Sequence, residues 1–274
     1  MINITGIISF LGPKGTFSHE AATTRGDNLL ACCTIPAVME SVASNQVSEG
    51  IVPIENSIEG PVGLTLDSIA HKYDLNIIDE IIIPIKQNLI VNKGTKMEDI
   101  TDVYSHSQAI AQCQDFINNN NLTPHYSIST ANAAKNIIGD KTKAAIGNIK
   151  SAELYDLDII RTNIQDRNNN ETRFIVVSKQ QSKPTGNDKT SIIFSIIEDQ
   201  PGSLYEVLKI FVDNNINLTK IESRPSKEAL GKYIFFVDFY GHRQESHVKN
   251  VLNQINDKSV LFKVLGSYPE FQIH

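Results

Sequence analysis

The sequence predicts an α/β fold in two parts, a mostly parallel sheet domain followed by a smaller module of order βαββαβ. Three observations carry this. Short apolar runs alternate with helical patterns through the first 180 residues, a polar stretch breaks the pattern at 181–189, and from residue 190 the order becomes strand, helix, two strands, helix, strand.

Taken in order, GIISFLG (6–12), EGIVPIEN (49–56), NLIVN (88–92), DVYSHS (102–107), AAIGN (144–148), LDIIR (157–161) and RFIVVS (173–178) read as strands. Helical patterns fall at 36–49, 60–73, 107–119 and 130–139, the last closed by Gly139 as a C-cap. KQQSKPTGNDK (179–189) has Pro184, Gly186 and no apolar periodicity, so it is expected to be a linker.

Beyond it come strand 190–198, helix 203–215, strands 218–224 and 232–240, helix 245–257 and strand 259–265. Both helices carry an i, i+3, i+4, i+7 stripe: Leu204, Val207, Leu208 and Phe211 in one, Val248, Val251, Leu252 and Ile255 in the other. Each needs a sheet face to cover, which is the ferredoxin-like arrangement. The first part reads as two lobes, roughly 1–79 with 159–180 and 80–158, the layout of periplasmic-binding-protein-like folds. The expected domains are therefore 1–180 and 190–274.

Charge and composition exclude several function classes. A net charge of -6 with no basic run argues against a nucleic-acid partner or an anionic membrane. No stretch reaches the roughly 18 apolar residues of a span, and MINITGIISFLG lacks a basic start and a cleavage site. A cytoplasmic protein without a membrane partner is expected. Cys32, Cys33 and Cys113 form no CxxC pair and are expected as reduced thiols. With no HExxH, GxGxxG, GK[ST] or GxSxG motif, neither a metal nor a cofactor is expected.

Ligands of such sheets sit beyond the carboxyl ends of strands, and three polar turns lie there. GPKGTFSHEA (12–21) offers glycines for close backbone approach and Thr16 or Ser18 to cap the next helix. ENSIEGPVG (55–63) groups Glu55, Asn56, Ser57 and Glu59, as a donor–acceptor cluster or as an ordinary Asx turn. SHSQA (105–109) sets Ser105, His106 and Gln108 at a helix start, where the positive helix end favours a neutral imidazole; a local capping loop is the plainer alternative.

In order along the chain, GPKGTFSHEAA, VPIENSIEGPV, SHSQAIAQC, ETRF, DQPGSLYEVLKIF, NLTKIESRP and YIFFVDFYGH resemble the prephenate dehydratase family with its C-terminal ACT regulatory domain. The resemblance implies a hydro-lyase that expels water and carbon dioxide from prephenate to give phenylpyruvate, in phenylalanine biosynthesis. The family's TRF motif falls on Thr172, Arg173 and Phe174, and the family depends on the threonine.

A threonine alcohol is about as weak an acid as water. Its implied role is a positioned hydrogen bond to the departing hydroxyl. Arg173 offers a fork for a substrate carboxylate, or a strand-fixing salt bridge, and Phe174 is expected to pack in the core. Substrate anchoring is implied for Thr16, Ser18, Glu55, Asn56, Ser57, Ser105, His106 and Gln108. Glu55, Glu59 and His106 are candidates to deliver the proton.

In the ACT half the resemblance implies L-phenylalanine as an allosteric effector held by Pro201, Gly202, Ser203 and Leu204 with Glu222, Ser223, Arg224 and Pro225, at the interface of a homodimer or homotetramer. The family commonly has Ala where this chain has Ser203. An arogenate dehydratase and a non-catalytic sensor of a small dianion are the alternatives.

Overall fold

A computed structural model describes residues 6–197, 200–227 and 231–272. The first half alternates strand and helix as expected, and the helices that follow Thr16, Thr34, His106, Ser129 and Asn148 are each capped by that residue's side chain. β1 (Ile8–Leu11) feeds α1 (Phe17–Thr23), whose N-cap Thr16 accepts from the His19 N–H. β2 (Leu29–Cys32) feeds α2 (Ile35–Ala43), capped by Thr34. β3 (Glu49–Asn56) turns through the short β4 (Gly60–Pro61) into α3 (Gly63–His71), followed by β5 (Asn76–Pro84) and β6 (Asn88–Val91).

β7 (Asp102–Ser105) leads to α4 (Ser107–Ala111) and α5 (Gln114–Asn119), and β8 (Thr123–Tyr126) to α6 (Thr130–Asn136). β9 (Lys143–Gly147), α7 (Ile149–Leu154), β10 (Asp158–Arg161) and β11 (Glu171–Ser178) complete the half.

Several elements differ from the sequence reading. The helix expected at 107–119 is broken at Cys113, whose φ of -127° and ψ of 28° are not helical. Those expected at 36–49 and 60–73 are shorter, because Asn45 takes a left-handed φ of 59° and because Gly60–Pro61 pair with β3 instead. β2, β5, β8 and α7 were not foreseen.

Both sheets combine parallel and antiparallel pairs. One has the order β2-β1-β3-β11-β5, with β1 parallel to both neighbours. The other has the order β10-β6-β9-β7-β8, in which β6 pairs antiparallel with β10 and β9 while β7 is parallel to β8 and β9.

By contact density the chain parts into Met1–Leu66 with Ile81–Phe174, and Asp67–Glu80 with Ile175–His274. In the second unit, β12 (Asp188–Ile196), α8 (Ser203–Asp213), β13 (Leu218–Pro225), β14 (Tyr233–Tyr240), α9 (Ser246–Asp257) and β15 (Ser259–Pro269) form a sheet of order β13-β14-β12-β15. Its recorded pairings are antiparallel, and both helices pack Val207, Ile210, Phe211, Val248, Val251 and Ile255 on one face with Ile192, Phe194, Val237 and Phe239. This is the ferredoxin-like order. Residue 198, the end of the strand expected at 190–198, lies outside the described residues, as does Asp199 of the DQPGSL turn.

Candidate active site

Four strand ends in the first unit open onto one cavity of about 330 Å³. β1 contributes Leu11, Gly12, Thr16, Phe17 and Ser18; β3 contributes Pro53 and Asn56; β7 contributes His106, Gln108, Ala109 and Gln112; β8 contributes Ile128, Ser129 and Thr130. Thr172 and Phe174 of β11 add to the wall, as do Val62, Ile85 and Gln87. The placement beyond carboxyl ends of strands follows the rule for such sheets.

Of the residues singled out from the sequence, Thr16, Ser18, Asn56, His106, Gln108, Thr172 and Phe174 line this cavity, whereas Arg173, Glu55, Ser57 and Ser105 do not. Alternation along a strand explains the first of these: Thr172 and Phe174 share one face of β11, so Arg173 must point to the other. There its Nη1 lies 3.6 Å from Glu55 Oε2, the salt-bridge role rather than the carboxylate fork. Ser105 is fully buried and donates to the Ile146 carbonyl at 2.6 Å, tying β7 to β9. Ser57 donates to the Asn169 carbonyl and accepts from the Glu171 N–H, bracing the loop before β11.

Asn56 is the centre of the polar wiring. Its Oδ1 accepts from the Ile58 and Glu59 N–H groups, both at 3.0 Å, as an Asx turn does. That settles which end is the amine. Nδ2 then donates to Asn170 Oδ1 (2.7 Å), the Glu171 carbonyl (3.0 Å) and Thr172 Oγ1 (2.9 Å). Since Thr172 Oγ1 is an acceptor for Asn56, its own proton remains to donate elsewhere.

Three helices begin at the cavity wall. His106 caps α4 by accepting the Gln108 N–H on Nδ1 at 3.3 Å, which assigns the ring proton to Nε2. Ser129 caps α6 and Thr16 caps α1 in the same manner. The first N–H groups of each helix have no intrahelical partner by construction, so these walls are rich in donors. Among the described residues, no Lys or Arg lines the cavity.

The glycines of the first turn serve packing. Gly15 sits at φ +89°, and a Cβ there would come within 3.1 Å of Leu154 and 3.2 Å of Ala131. Ser151 also donates to the Gly15 carbonyl at 2.6 Å. Next to it, burial, then Lys14 and Lys150, hold the His19 imidazole below its ordinary pKa. Burial pushes the Glu20 carboxyl up, against a hydrogen bond from Asn148.

Sequence reasoning missed Gln87, Gln112, Ser129 and Thr130. A signal existed for Ser129 alone: a serine placed directly before the helical pattern at 130–139 is an N-cap.

In the second unit, Gly202 precedes α8 at φ +95° without a side-chain cap, Pro201 and Gly202 are exposed, and Ser203 Oγ accepts from the Gln200 N–H. Leu204 packs at the edge of the core beneath. Glu222, Ser223, Arg224 and Pro225 form the end of β13, paired with Phe236, Phe235, Ile234 and Tyr233. Arg224 Nε donates to Asp67 Oδ1 at 2.9 Å, and Lys227 lies 2.8 Å from Oδ2. Partial burial opposes ionisation of Asp67, but those two cations outweigh it and keep its carboxyl below the usual range.

Comparison with known proteins gives a consistent picture. A family model described as Prephenate dehydratase matches residues 8–182, and one described as ACT domain matches 190–257. The prephenate dehydratase of Methanocaldococcus jannaschii is 42% identical over 94% of this chain and 96% of its own. A bifunctional chorismate mutase/prephenate dehydratase of Aquifex aeolicus is also 42% identical, over 96% of this chain and 73% of its own. A prephenate dehydratase of Arthrobacter aurescens, solved in complex with L-Phe, superposes with a TM-score of 0.87 at 34% identity, covering 96% of this chain and 90% of that one.

Proposed function

The chain belongs to the prephenate dehydratase family, and from that premise we propose that the cavity of the first unit is where prephenate loses water and carbon dioxide, with Thr172 as the donor to the departing oxygen. The activity is a hydro-lyase reaction. Prephenate dianion and one proton give phenylpyruvate monoanion, carbon dioxide and water. The bond to the ring carboxylate breaks, its electron pair enters the ring, and the pair of the C–O bond leaves with the hydroxyl, which takes the proton.

One observation carries the assignment: Asn56 Nδ2 donates to Thr172 Oγ1 at 2.9 Å. The amide fills a lone pair of the alcohol and turns its O–H towards other acceptors. A donor held this way meets the charge that builds on the leaving oxygen without having to reorganise, an effect on the order of 10²–10³ in rate. The proton itself comes from solvent through the cavity; His106, whose Nε2–H faces away from its cap bond, offers a hydrogen bond from the wall rather than the proton.

The dianion is held by neutral donors, namely Thr16, Ser18, Gln108, Ser129 and Thr130 and the starts of the helices they introduce. The apolar part of the wall, Leu11, Phe17, Val62, Ile85, Ala109, Ile128 and Phe174, supports the loss of the ring carboxylate's charge in a drier environment. Arg173 acts on the far face of β11 by pairing with Glu55.

The functional division is residues 1–180 for catalysis, 181–187 as linker rather than the expected 181–189, since β12 begins at Asp188, and 188–274 for regulation. L-Phenylalanine is the effector, taken up near Pro201–Leu204 and Glu222–Pro225. Exposed Tyr205, Ile221, Tyr233, Val260 and Leu261 on the regulatory module and the open edge of β13 support pairing with a second copy, so the working form is a homodimer or homotetramer. The protein acts in the cytoplasm. Incubation with prephenate, followed by the absorbance of phenylpyruvate in alkali, tests the whole reading; turnover of arogenate instead of prephenate would replace the substrate.

A further inference from the structure

Gln87 lies between β5 and β6, is 2% exposed, and forms part of the cavity wall. Its backbone N–H is held by Gln165 Oε1 at 2.9 Å. Its side-chain Nε2 donates to Gln112 Oε1 at 3.3 Å, and Gln112 Nε2 donates to Glu59 Oε1 at 3.4 Å. A carboxylate accepts and does not donate, so Glu59 draws the amine of Gln112 towards itself. The Gln112 carbonyl then faces the amine of Gln87. What remains is the Gln87 carbonyl oxygen, which has no hydrogen-bond partner among the described residues.

A buried acceptor without a partner is costly, and at the wall of a binding cavity it marks where a ligand supplies a donor. Prephenate is a poor source of donors. Its two carboxylates and its ketone are acceptors, which a carbonyl oxygen repels. At neutral pH its one donor is the ring hydroxyl, the group that leaves.

Resting on the reading of the cavity as the prephenate site, we propose that Gln87 is a catalytic residue whose carbonyl oxygen, closed to solvent at rest, turns to accept the hydrogen bond of the substrate's departing hydroxyl, with Gln112 and Glu59 as positioning residues that hold the other end of its amide. The arrangement divides the work on one oxygen. Gln87 pins its hydrogen, so its lone pairs are left for Thr172, which lines the same cavity. It also works against substrate bound in reverse, because a carboxylate or ketone placed there would meet the carbonyl dipole.

The test uses the full-length protein with Gln87→Met, close in length but lacking the carbonyl. Steady-state kinetics with prephenate are compared with inhibition by phenylpyruvate, a product that has no ring hydroxyl, and thermal melting checks the fold. The expected result is a fall in kcat/KM on the order of 10- to 100-fold, with the inhibition constant of phenylpyruvate unchanged. Glu59→Gln, an exposed change that leaves the packing of the wall alone, frees Gln112 to turn over; it should lower kcat several-fold, again without altering phenylpyruvate affinity.

Unchanged kcat/KM in a folded Gln87→Met protein overturns the proposal, and so does a loss of phenylpyruvate affinity in step with kcat/KM, which would mark a structural role. If Gln87→Met does not fold, an undiminished kcat in Glu59→Gln overturns it. Absence of prephenate turnover in the unmutated protein would instead overturn the cavity reading on which it rests.

Discussion

At the end of β1 the chain enters α1 through Thr16, which caps the helix with its own side chain, and the turn is tied down again by Ser151 on the Gly15 carbonyl. Beyond β12 the chain enters α8 through Gly202, exposed, at φ +95°, with no side-chain cap and, among the described residues, nothing within 4 Å of where a Cβ would stand. Both are strand-to-helix junctions of the kind that bind anions. The first is organised from within one chain, because a transition state gains only from donors already in place. The second has no such internal cap among the described residues.

The sharpest way to break the comparison is to remove the group that the catalytic side holds ready. Thr172→Ala should lower kcat on the order of 10²–10³ or more, with melting temperature little changed; undiminished kcat in the purified variant would sink the assignment. Asn56→Ala attacks the wiring itself. It leaves the Ile58 and Glu59 N–H groups without their acceptor, so urea denaturation should show a loss of about 1–3 kcal/mol together with a large loss of turnover.

On the regulatory side the effect should be smaller. Gly202→Ala forces a side chain into a left-handed conformation and should cost about 1–2 kcal/mol in stability, and isothermal titration should show weaker L-phenylalanine binding. Binding as tight as that of the unmodified protein would mean that this turn takes no part in the effector site.

The smallest effect is a pH dependence near the catalytic turn. His19 has a folded-state pKa below its unfolded value of roughly 6.5, held there by burial and by Lys14 and Lys150. The unfolded chain therefore binds more protons in that window, so stability rises as pH climbs from the folded pKa through about 6.5 and falls as pH drops back through it. His19→Gln should slightly flatten this part of the stability profile, measured by urea denaturation between pH 5 and 8, solvent screening keeping the effect small.

What could be read from the sequence follows from which signals are local. The alternation rule was available for Thr172, Arg173 and Phe174, and applied strictly it puts Thr172 and Phe174 on one face and Arg173 on the other. The βαββαβ module was legible because its two amphipathic stripes and its strand lengths are strong and short-range. Leu29–Cys32 and Thr123–Tyr126 were not: four residues each, half-exposed or carrying a proline, they are strands only because β1 and β7 lie beside them. Nor was the break at Cys113, where no glycine or proline interrupts the pattern. Gln87 and Gln112 are joined across 25 residues of chain by a hydrogen bond that no periodicity announces.

Asn56 stands before Ser57, and slow hydrolysis of its side chain would yield an aspartate with the same outline but only acceptors. The bond given to the Glu171 carbonyl would become a repulsion and the one to Asn170 Oδ1 would be lost, the Thr172 hydroxyl would turn to donate to the new carboxylate instead of to substrate, and the two bonds received from Ile58 and Glu59 would survive. An aged sample would then hold molecules that are folded yet inert, separable by isoelectric focusing as an acidic band whose growth keeps pace with lost turnover.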